Sequence, residues 1–521
     1  MNQPRTLSSR HQVDEPSPAV AQMRRPLRGL LTILLGLSVM QPVECAVAAV
    51  SAGAPNLVEE TEGARSSGVQ TALKMYESGK KEEAASLLAK LARAEDHDAQ
   101  FALAQIYESG EGLERSVESA LFWYREAAGP GRAHARFRLA RLLLATPGGE
   151  KEALTNLRAA ADGGQGEAMV MIGGLSRTGT GLERDPAAAR EWFNKAGAAN
   201  IPAGYFFLGQ MHERGEGGDR SHTEALAAYN KAAGAGFLDA IIHLAAAYQS
   251  GSLGETDFAK AKKLWARGAI ELDDSRCQFG MGLLYELGHG EEKDMEKALI
   301  WYRKAAAAGD GQALSKLGEL YEKGSGVDKD LTTAIGHYEK AAATGLGEPM
   351  WQLSRINAMG IGVEKDPTAA LKWLIRAASS GMALAEYSLA LHYRDGKGVM
   401  ADQVAAAAWL RRAASRGLAA AQVDLAGMIV TGANGTPNQE AVDLYSRAAG
   451  RGEPRAHVAL GEFYETGNGG QADPVKAYAH YLAAAKAGHE PGVKKRDALK
   501  PKLSPQQIAS AEALLLGGGG Q

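Results

Sequence analysis

The chain has 521 residues and a mass of 54.8 kDa, and its formal net charge at pH 7 is −3. Gly supplies 63 residues and Ala 96, whereas aromatic residues make up only 6 % of the chain. This charge balance argues against nucleic acid as the main partner, because a phosphate-binding surface needs clustered Lys and Arg. High Ala content favours helices, and the Gly residues do not follow the Gly-X-Y period of collagen.

The first segment of the chain predicts export. A secretory signal peptide consists of a basic region, a short apolar region and a small-residue cleavage site. An apolar run over residues 30–40 follows three basic residues and precedes an Ala-x-Ala site. The basic residues are Arg24, Arg25 and Arg28. We therefore predict a signal peptide over residues 1–48, cleaved near Ala48, and a start at Met23 would give it a basic region of more ordinary length.

The two cysteines and the hydropathy of the chain after the signal peptide predict a soluble periplasmic protein. Glu44 stands before Cys45, where a bacterial lipobox requires a small residue, so lipoprotein anchoring is not expected. Cleavage leaves Cys277 as the only thiol, which excludes an intramolecular disulfide. No later stretch approaches 18 apolar residues, the length that a membrane-spanning helix needs.

Beyond a flexible linker at residues 49–68, the chain repeats with a period of about 36 residues up to residue 492. Gly residues that end apolar segments recur at spacings of 35 to 37 residues. They are Gly179, Gly215, Gly251, Gly288, Gly324, Gly360, Gly396, Gly432 and Gly467. Such a period is typical of a solenoid, in which each repeat packs on its neighbours. An altered copy is expected around Gly148.

Each copy predicts two helices. Leu314, Leu317 and Leu320 have helical spacing, and a second helix is expected over residues 331–343. Three copies carry an Asp-Pro pair before the second helix. Asp accepts hydrogen bonds as the N-cap and Pro fits the first helical position, so each pair predicts the start of a helix. These pairs are Asp185-Pro186, Asp366-Pro367 and Asp473-Pro474.

Large aromatic residues recur in two adjacent positions of the second helix. Six of the seven Trp occupy these positions, namely Trp123, Trp192, Trp265, Trp301, Trp373 and Trp409. Tyr fills them elsewhere, at Tyr229, Tyr338, Tyr445 and Tyr481. The pattern predicts a ladder of core side chains between repeats, with an aromatic ligand groove as the alternative. Recurrent Ala pairs would let neighbouring helices approach closely.

These features resemble the Sel1-like repeat family, a relative of the tetratricopeptide repeats. The likeness is carried by Gly282-Leu283-Leu284-Tyr285-Glu286-Leu287-Gly288 and by Ala298-Leu299-Ile300-Trp301-Tyr302-Arg303-Lys304-Ala305-Ala306. The resemblance implies an all-α, right-handed α-solenoid of about eleven to twelve helix-turn-helix repeats over residues 69–492. Residues 493–521 are expected to form a C-terminal capping helix and a Gly-rich tail.

The resemblance also implies a function. Solenoids present long surfaces that bind proteins or peptides. Exported Sel1-like proteins include periplasmic scaffolds of alginate-type exopolysaccharide synthesis and export, and residues 72–91, 136–143 and 503–515 look like such a scaffold. The implied partners are envelope proteins, such as a polysaccharide synthase or an outer-membrane export porin, and the exopolysaccharide itself. The alternatives are a periplasmic regulator of a sensor kinase that controls exopolysaccharide and, in another class, an enzyme that modifies polysaccharide or cell wall.

The sequence predicts no catalytic, cofactor or metal site. The segment Gly215-Glu216-Gly217-Gly218 resembles a phosphate loop, but it lacks a preceding strand and a following Lys-Ser/Thr. Cys277 has apolar neighbours and is expected to be a buried, inert thiol. Partner binding is expected on a concave face built by the first helices. Its candidate residues are Gln210, His243, Glu319, Gln352 and Glu386.

Overall fold

The computed structural model describes residues 66–432, 439–467 and 471–517. This part of the chain forms 26 α-helices and contains no strand. The predicted signal peptide lies outside the described residues, as do nearly all of the predicted linker and the last Gly residues of the tail. Within the described ranges, no helix has the length and apolar character needed to cross a bilayer. The described chain forms two compact units, an N-terminal unit up to residue 294 and a C-terminal unit from residue 295.

The N-terminal unit contains thirteen helices within the described residues. They are α1 (Ser67–Glu77), α2 (Lys81–Arg93), α3 (His97–Ser109), α4 (Val117–Ala127), α5 (Ala133–Leu144), α6 (Glu150–Asp162), α7 (Gly166–Thr178), α8 (Pro186–Ala198), α9 (Pro202–Arg214), α10 (His222–Gly234), α11 (Leu238–Ser250), α12 (Phe258–Ala266) and α13 (Ser275–Leu287). Helices pack in consecutive pairs, α1 with α2 through α11 with α12, and each pair also packs on the next. The altered copy predicted around Gly148 is the pair α5 and α6, which a short turn connects.

The C-terminal unit continues the same alternation over its described residues. Its helices are α14 (Met295–Ala307), α15 (Gly311–Lys323), α16 (Leu331–Ala343), α17 (Gly347–Met359), α18 (Pro367–Ser379), α19 (Ala383–Asp395), α20 (Gln403–Ser415), α21 (Ala419–Gly432), α22 (Gln439–Ala449), α23 (Pro454–Thr466), α24 (Pro474–Lys486), α25 (Glu490–Leu499) and α26 (Pro505–Gly517). Odd-numbered helices are the first helices of their pairs and even-numbered helices the second, from α15 with α16 to α23 with α24, and both α25 and α26 pack on α24. The expected all-α architecture of tandem helix pairs is confirmed.

Capping residues set the helix ends where the sequence places them. The Asp366 carboxylate accepts hydrogen bonds from the backbone N–H groups of Thr368 and Ala369, both at 2.9 Å. Asp185 and Asp473 cap α8 and α24 in the same way. Such caps satisfy N–H groups that have no partner within the helix. The Asp-Pro prediction is therefore confirmed, as is the predicted range of α16.

Close contacts between Gly and aromatic rings set the distance between the two helices of a pair. A Cβ atom at Gly318 would lie 2.8 Å from the ring of Tyr338, and one at Gly209 would lie 2.7 Å from the ring of Tyr229. Carbon atoms in contact lie at 3.5–4.0 Å, so only Gly fits at these positions. Part of the high Gly content thus serves helix packing, in addition to ending helices.

The aromatic ladder occupies one of the two predicted positions. Its fully buried members are Tyr124, Phe193, Tyr229, Trp265, Tyr302, Tyr338 and Tyr481. Trp265 is the Trp in this row, and the other five Trp lie in the preceding position and are half-buried. Of these, Trp123, Trp192, Trp373 and Trp409 pack against the core from its edge, so the prediction of a Trp core ladder is confirmed only in part. There a cation covers the exposed ring face, as in Arg376 over Trp373 and Arg412 over Trp409, at 4.3 and 4.4 Å from the ring centroids. A cation on a ring face is attracted by the electrons of the ring.

One repeat is a residue longer than the others, and a π-helical turn accommodates the extra residue. The Gly251–Gly288 spacing is 37 residues, and α12 continues into a π-helix at Arg267–Glu271. Within this turn Ile270 is 65 % exposed. A π turn inserts one residue into a helix without displacing the residues before and after it. The extra residue thus leaves the core positions of the following repeat in register.

Candidate protein-binding face

Polar side chains of successive first helices contact one another in the C-terminal unit. We call this set the first-helix face. It consists of Lys316, Glu319, Glu322, Glu348, Gln352, Arg355, Tyr387, Arg394, Asp424 and Arg455. Contacts of these side chains join α15 to α17, and α19 to α21 and α23. The predicted residues Glu319 and Gln352 belong to this face.

The part of the face on α15 and α17 is a chain of hydrogen bonds. Gln352 Nε2 donates to Glu348 at 2.6 Å, and its Oε1 accepts from Arg355 Nε at 2.9 Å. Arg355 also forms an ion pair with Glu322 of the preceding repeat. Charge-assisted bonds of this kind are stronger than neutral ones and fix the side chains in one geometry. The face is therefore ordered before any partner binds.

Glu319 lies at the edge of this chain between two lysines. Lys316 Nζ lies 3.2 Å from Glu319 Oε2, and Lys323 contacts the other carboxylate oxygen. Burial tends to raise the pKa of Glu319, but Lys316 and Lys323 outweigh burial and hold this pKa below its usual value. Glu319 is thus a paired carboxylate rather than an isolated surface charge.

The part of the face on α19, α21 and α23 centres on Asp424. The Tyr387 hydroxyl donates to Asp424 at 2.8 Å, and Arg455 Nη1 donates at 2.9 Å. Arg394 Nη1 lies 3.8 Å away. The two guanidinium groups have side chains that are 40 and 42 % exposed, so they can also contact a bound partner.

Two of the predicted residues lie in the N-terminal unit and take part in similar contacts. His243 Nε2 lies 3.0 Å from Glu213 Oε2, which also accepts the Tyr229 hydroxyl at 2.7 Å. Burial tends to raise the pKa of Glu213, but the His243 and Tyr229 hydrogen bonds lower it more. Gln210 accepts a long hydrogen bond of 3.4 Å from Arg177, which is itself buried.

The remaining predicted residue, Glu386, is not on an accessible surface. It is fully buried, and its two oxygens accept from Arg412 Nε at 3.1 Å and from Arg416 Nε at 3.0 Å. Arg412 lies in the neighbouring helix α20 and Arg416 directly follows that helix. The two arginines supply the charge that a buried carboxylate requires. The expectation that Glu386 is available to a partner is therefore wrong.

The structure also shows a repeated hydrogen bond that the sequence analysis missed. In several pairs of the described residues, the buried Tyr of the second helix donates its hydroxyl to a Glu near the end of the first helix. The pairs are Tyr124–Glu108, Tyr229–Glu213, Tyr338–Glu322 and Tyr481–Glu465, at 2.6 to 2.9 Å. Each Glu precedes its Tyr by 16 residues, so a search for this spacing would have found them. Three of these carboxylates also pair with Arg141, His243 or Arg355 of the next repeat.

Residues singled out for possible chemistry have structural roles. Arg190 donates to the carbonyl of Glu216 at 2.7 Å and to that of Asp219 at 3.2 Å, so the Gly-rich segment directs carbonyls at a cation rather than N–H groups at a phosphate. Cys277 is fully buried, as predicted, and burial raises the pKa of its thiol. Within the described ranges, no group of three His, Cys, Asp or Glu could hold a metal ion.

Comparison with protein families gives one match, which recurs along the chain. The Sel1 repeat model matches ten segments that together make up more than half of the residues. They are residues 97–129, 166–201, 202–237, 238–270, 275–310, 311–346, 350–382, 383–418, 419–453 and 454–489. The pairs α1–α2 and α5–α6 fall outside these matches.

Several solved structures are similar to this chain. The structure of c5321, described as a protective antigen of uropathogenic Escherichia coli with an SLR fold, is 26 % identical over 83 % of this chain and 94 % of that chain, with a TM-score of 0.47. A Sel1 repeat protein from Oxalobacter formigenes is 26 % identical over 76 % and 93 %, with a TM-score of 0.32. Immunity protein Pa5087 from Pseudomonas aeruginosa is 22 % identical over 38 % and 75 %, with a TM-score of 0.26. A comparison with curated proteins gave no match.

Proposed function

Since this chain belongs to the Sel1 repeat family, whose members are generally protein-interaction scaffolds, we propose that it is a non-enzymatic scaffold that binds partner proteins on the first-helix face. The observation that carries this proposal is the set of contacts between polar side chains of successive first helices. These side chains are held in place by their neighbours and remain partly exposed. Ordered charges of both signs favour a partner with complementary charges and disfavour others.

We further propose that the scaffold works in the bacterial periplasm. The support is the basic region, apolar run and Ala-x-Ala site of residues 24–48. Within the envelope, the proposed role is in alginate-type exopolysaccharide synthesis or export, with a polysaccharide synthase or an export porin as partner. This part of the proposal rests on the resemblance of residues 72–91, 136–143 and 503–515 to such scaffolds.

The proposal can be tested by crosslinking the tagged chain in its native cells, fractionating the cells and identifying the captured proteins. The test variant is Glu348→Lys, which reverses an exposed charge on the first-helix face. The matched control is Glu339→Lys, the same change at an exposed position of the second helix α16. We expect Glu348→Lys to reduce capture of the partners several-fold and Glu339→Lys to leave it unchanged.

Two results would contradict this proposal. Capture of no protein by the unaltered chain would contradict the scaffold function. Recovery of the chain in the cytoplasmic fraction, with its first 48 residues still attached, would contradict the periplasmic location.

A further inference from the structure

Two histidines meet between α23 and α24, at positions where other repeats carry different residues. His457 of α23 and His480 of α24 approach each other with 3.0 Å between their Nδ1 atoms. In the pair α3 and α4, the same two positions hold Gln100 and Trp123, at the same separation along the chain. The contact between two imidazoles therefore requires two departures from the residues of that repeat.

Further contacts hold both rings in place. The backbone carbonyl of Ala449, at the end of α22, accepts a hydrogen bond from the His457 ring, and Gln100 makes the same kind of bond in its own repeat. The ring of Tyr464 stacks on His480, with an angle of 3° between the two planes. Since one nitrogen of His457 donates to the carbonyl, its Nδ1 can accept the Nδ1 proton of His480. The neutral pair thus shares one proton between its two Nδ1 atoms.

The surroundings of the pair favour its neutral form. Both rings are partly buried, and burial lowers the pKa of each. The pKa of His480 falls to about 4, because the charges of His457 and Lys476 add to the effect of burial. Lys476 lies one turn before His480 on α24, and Asp473 keeps it charged at a distance of 3.4 Å. A positive charge on the pair is therefore unfavourable in the folded chain.

The other charged groups on the surrounding helices have partners elsewhere or are exposed. In α23, Glu462 pairs with Lys495 of α25 at 2.9 Å, and Glu465 accepts the Tyr481 hydroxyl at 2.8 Å. The remaining charged residues of α25 pair with one another, and those of α22 and α26 are exposed. Among the described residues, no carboxylate forms an ion pair with either imidazole of the pair.

Acid therefore opposes the contact between α23 and α24. Both nitrogens of a protonated imidazole are donors, so two protonated rings would place two N–H groups against each other across 3.0 Å. Once the helices have separated, the rings can take up protons at the ordinary His pKa, near 6.5. Because the separated state binds more protons, a fall in pH below about 6.5 favours separation.

Helix α23 also carries part of the first-helix face. Arg455, two residues before His457, donates to Asp424 of α21 at 2.9 Å, and its side chain is 42 % exposed. Glu453 contacts the same guanidinium at 3.1 Å from the start of α23. Movement of the first turn of α23 would therefore take Arg455 away from Asp424 and change the surface that a partner meets.

We propose that the His457–His480 pair is an acid-sensitive switch, which releases α23 from α24 in acid and thereby weakens partner binding at Arg455. This inference rests on the proposed scaffold function and adds a means by which pH regulates it. Near neutral pH the shared proton joins the two helices, and Arg455 stays on Asp424. In acid the rings take up protons, the helices separate, and this part of the first-helix face is lost.

The first test follows hydrogen exchange of the full chain at pH 7 and pH 5, corrected for the intrinsic effect of pH on exchange. We expect the opening equilibrium of α23 and α24 to rise about twentyfold, as a His pKa of about 4 in the folded chain and about 6.5 in the open state requires. Helices α3 and α4, with Gln100 and Trp123 at the same positions, are the internal control and should not show this rise.

Variants show whether the two histidines cause the rise. His457→Gln/His480→Trp gives α23 and α24 the residues of α3 and α4, removes both titrating groups and should abolish the rise. His457→Gln alone keeps a side chain that can bond the backbone, as Gln100 does, and should reduce the rise. The matched control is His97→Gln, at an exposed position of the N-terminal unit, which should retain it. Circular dichroism at pH 7 checks that each variant is folded, and His457→Gln decides if the double variant is not.

The second test asks whether the switch reaches the first-helix face. Proteins identified by the crosslinking experiment are bound to the purified full chain at pH 7 and at pH 5. We expect binding to the unaltered chain and to His97→Gln to be several-fold weaker at pH 5. Binding to His457→Gln/His480→Trp should be the same at both pH values.

Three results would overturn the inference. They are exchange of α23 and α24 that does not rise at pH 5, a rise that persists in the double variant or is undiminished in His457→Gln, and a rise without any change in partner binding. Failure of the scaffold proposal is recognised separately. If the unaltered chain captures no protein at either pH, the scaffold function fails, and the exchange experiment still shows whether acid separates α23 from α24.

Discussion

At the scale of single residues, the stability of this protein depends on carboxylates that are placed against buried hydroxyls and cations. The Tyr338–Glu322 bond joins the two helices of a pair, and Arg355 extends it to the next repeat. A carboxylate so placed is partly removed from water, and its partners replace the lost hydration. Among the described residues, Tyr445 has no such partner, so this part of the chain contains its own comparison between a bonded and an unbonded hydroxyl.

The first prediction uses this comparison. Tyr338→Phe should lower the free energy of local unfolding of α15 and α16 by about 1–2 kcal/mol, because it removes a hydrogen bond to a charged acceptor. Tyr445→Phe should change the stability of α21 and α22 by less than about 0.5 kcal/mol. Hydrogen exchange, measured helix by helix, reports both values. Equal losses in the two variants would show that the bond to Glu322 contributes nothing beyond the packing of the ring.

The second prediction concerns pH. His457 and His480 approach each other with 3.0 Å between their Nδ1 atoms. Burial lowers the pKa of His480 to about 4, helped by the charges of His457 and Lys476. The unfolded chain, with a His pKa near 6.5, therefore binds more protons than the folded chain between pH 4 and pH 6.5. The folded state therefore keeps its full stability above about pH 6.5 and loses stability as the pH falls from about 6.5 to about 4.

We expect the free energy of unfolding of α23 and α24 to fall by about 2 kcal/mol between pH 7 and pH 5. Chemical denaturation at the two pH values, combined with hydrogen exchange of these helices, measures it. His480→Gln removes the titrating group and should lessen the dependence of stability on pH. An unchanged dependence in this variant would mean that other groups cause it.

At the scale of the helices, caps and turns make each element end at a set residue. Asp366 caps α18, and Gly324, with φ of 71°, ends α15 in the left-handed conformation that Gly adopts without strain. These signals are local, so the sequence predicts them well. The π-helical turn at Arg267–Glu271 is also visible in the sequence, as the 37-residue spacing. The sequence does not say where within that repeat the extra residue lies.

The third prediction tests the role of this turn. Deletion of Ile270 should leave the N-terminal unit folded, with stability unchanged within about 1 kcal/mol, because the shortened segment can form a regular α-helical turn. Deletion of Glu339 from the regular helix α16 is the control. It rotates Ala341 and Ala342 out of the core, and we expect a loss of several kcal/mol.

Thermal unfolding and hydrogen exchange of the two deletion variants measure these effects. If removal of Ile270 unfolds α13 as severely as removal of Glu339 unfolds α16, the π turn is not an inserted residue.

The fourth prediction concerns a cap. Asp366→Ala should destabilise α18 by about 1 kcal/mol, because the N–H groups of Thr368 and Ala369 lose their acceptor. Asp366→Asn should retain most of the stability, because its amide oxygen can accept the same bonds. Hydrogen exchange in the first turn of α18 distinguishes the two variants. Equal losses of stability in Asp366→Ala and Asp366→Asn would show that the charge of Asp366, rather than the cap hydrogen bond, stabilises the helix.

At the scale of the whole molecule, the core of each unit is a sum of contacts between neighbouring helices. In the C-terminal unit, Leu499 of α25 and Ala511 of α26 are buried against Tyr478 and Leu482 of α24. A repeat array needs such a closing element, because the last repeat otherwise exposes its apolar side.

The fifth prediction follows from this arrangement. Removal of residues 490–521 should speed hydrogen exchange in α23 and α24 by at least tenfold and leave exchange in the N-terminal unit unchanged, because contacts in a repeat array are local. Removal of the last four Gly residues alone is the control and should have no effect. Faster exchange throughout the N-terminal unit would contradict the local character of the core.

The sequence by itself determined the repeat, the two helices of each copy, their caps and the burial of Cys277, because all of these follow from spacing along the chain and from local backbone preferences. Tertiary structure decided which of two adjacent aromatic positions is buried, that Glu386 is enclosed by two arginines, and that His457 meets His480. Successive side chains of an α-helix point about 100° apart around the helix axis, so two adjacent positions can differ between buried and exposed. Whether two side chains meet depends on how closely the helices pack. The period of the sequence therefore fixes the elements, and the contacts across helices fix the surface that a partner meets.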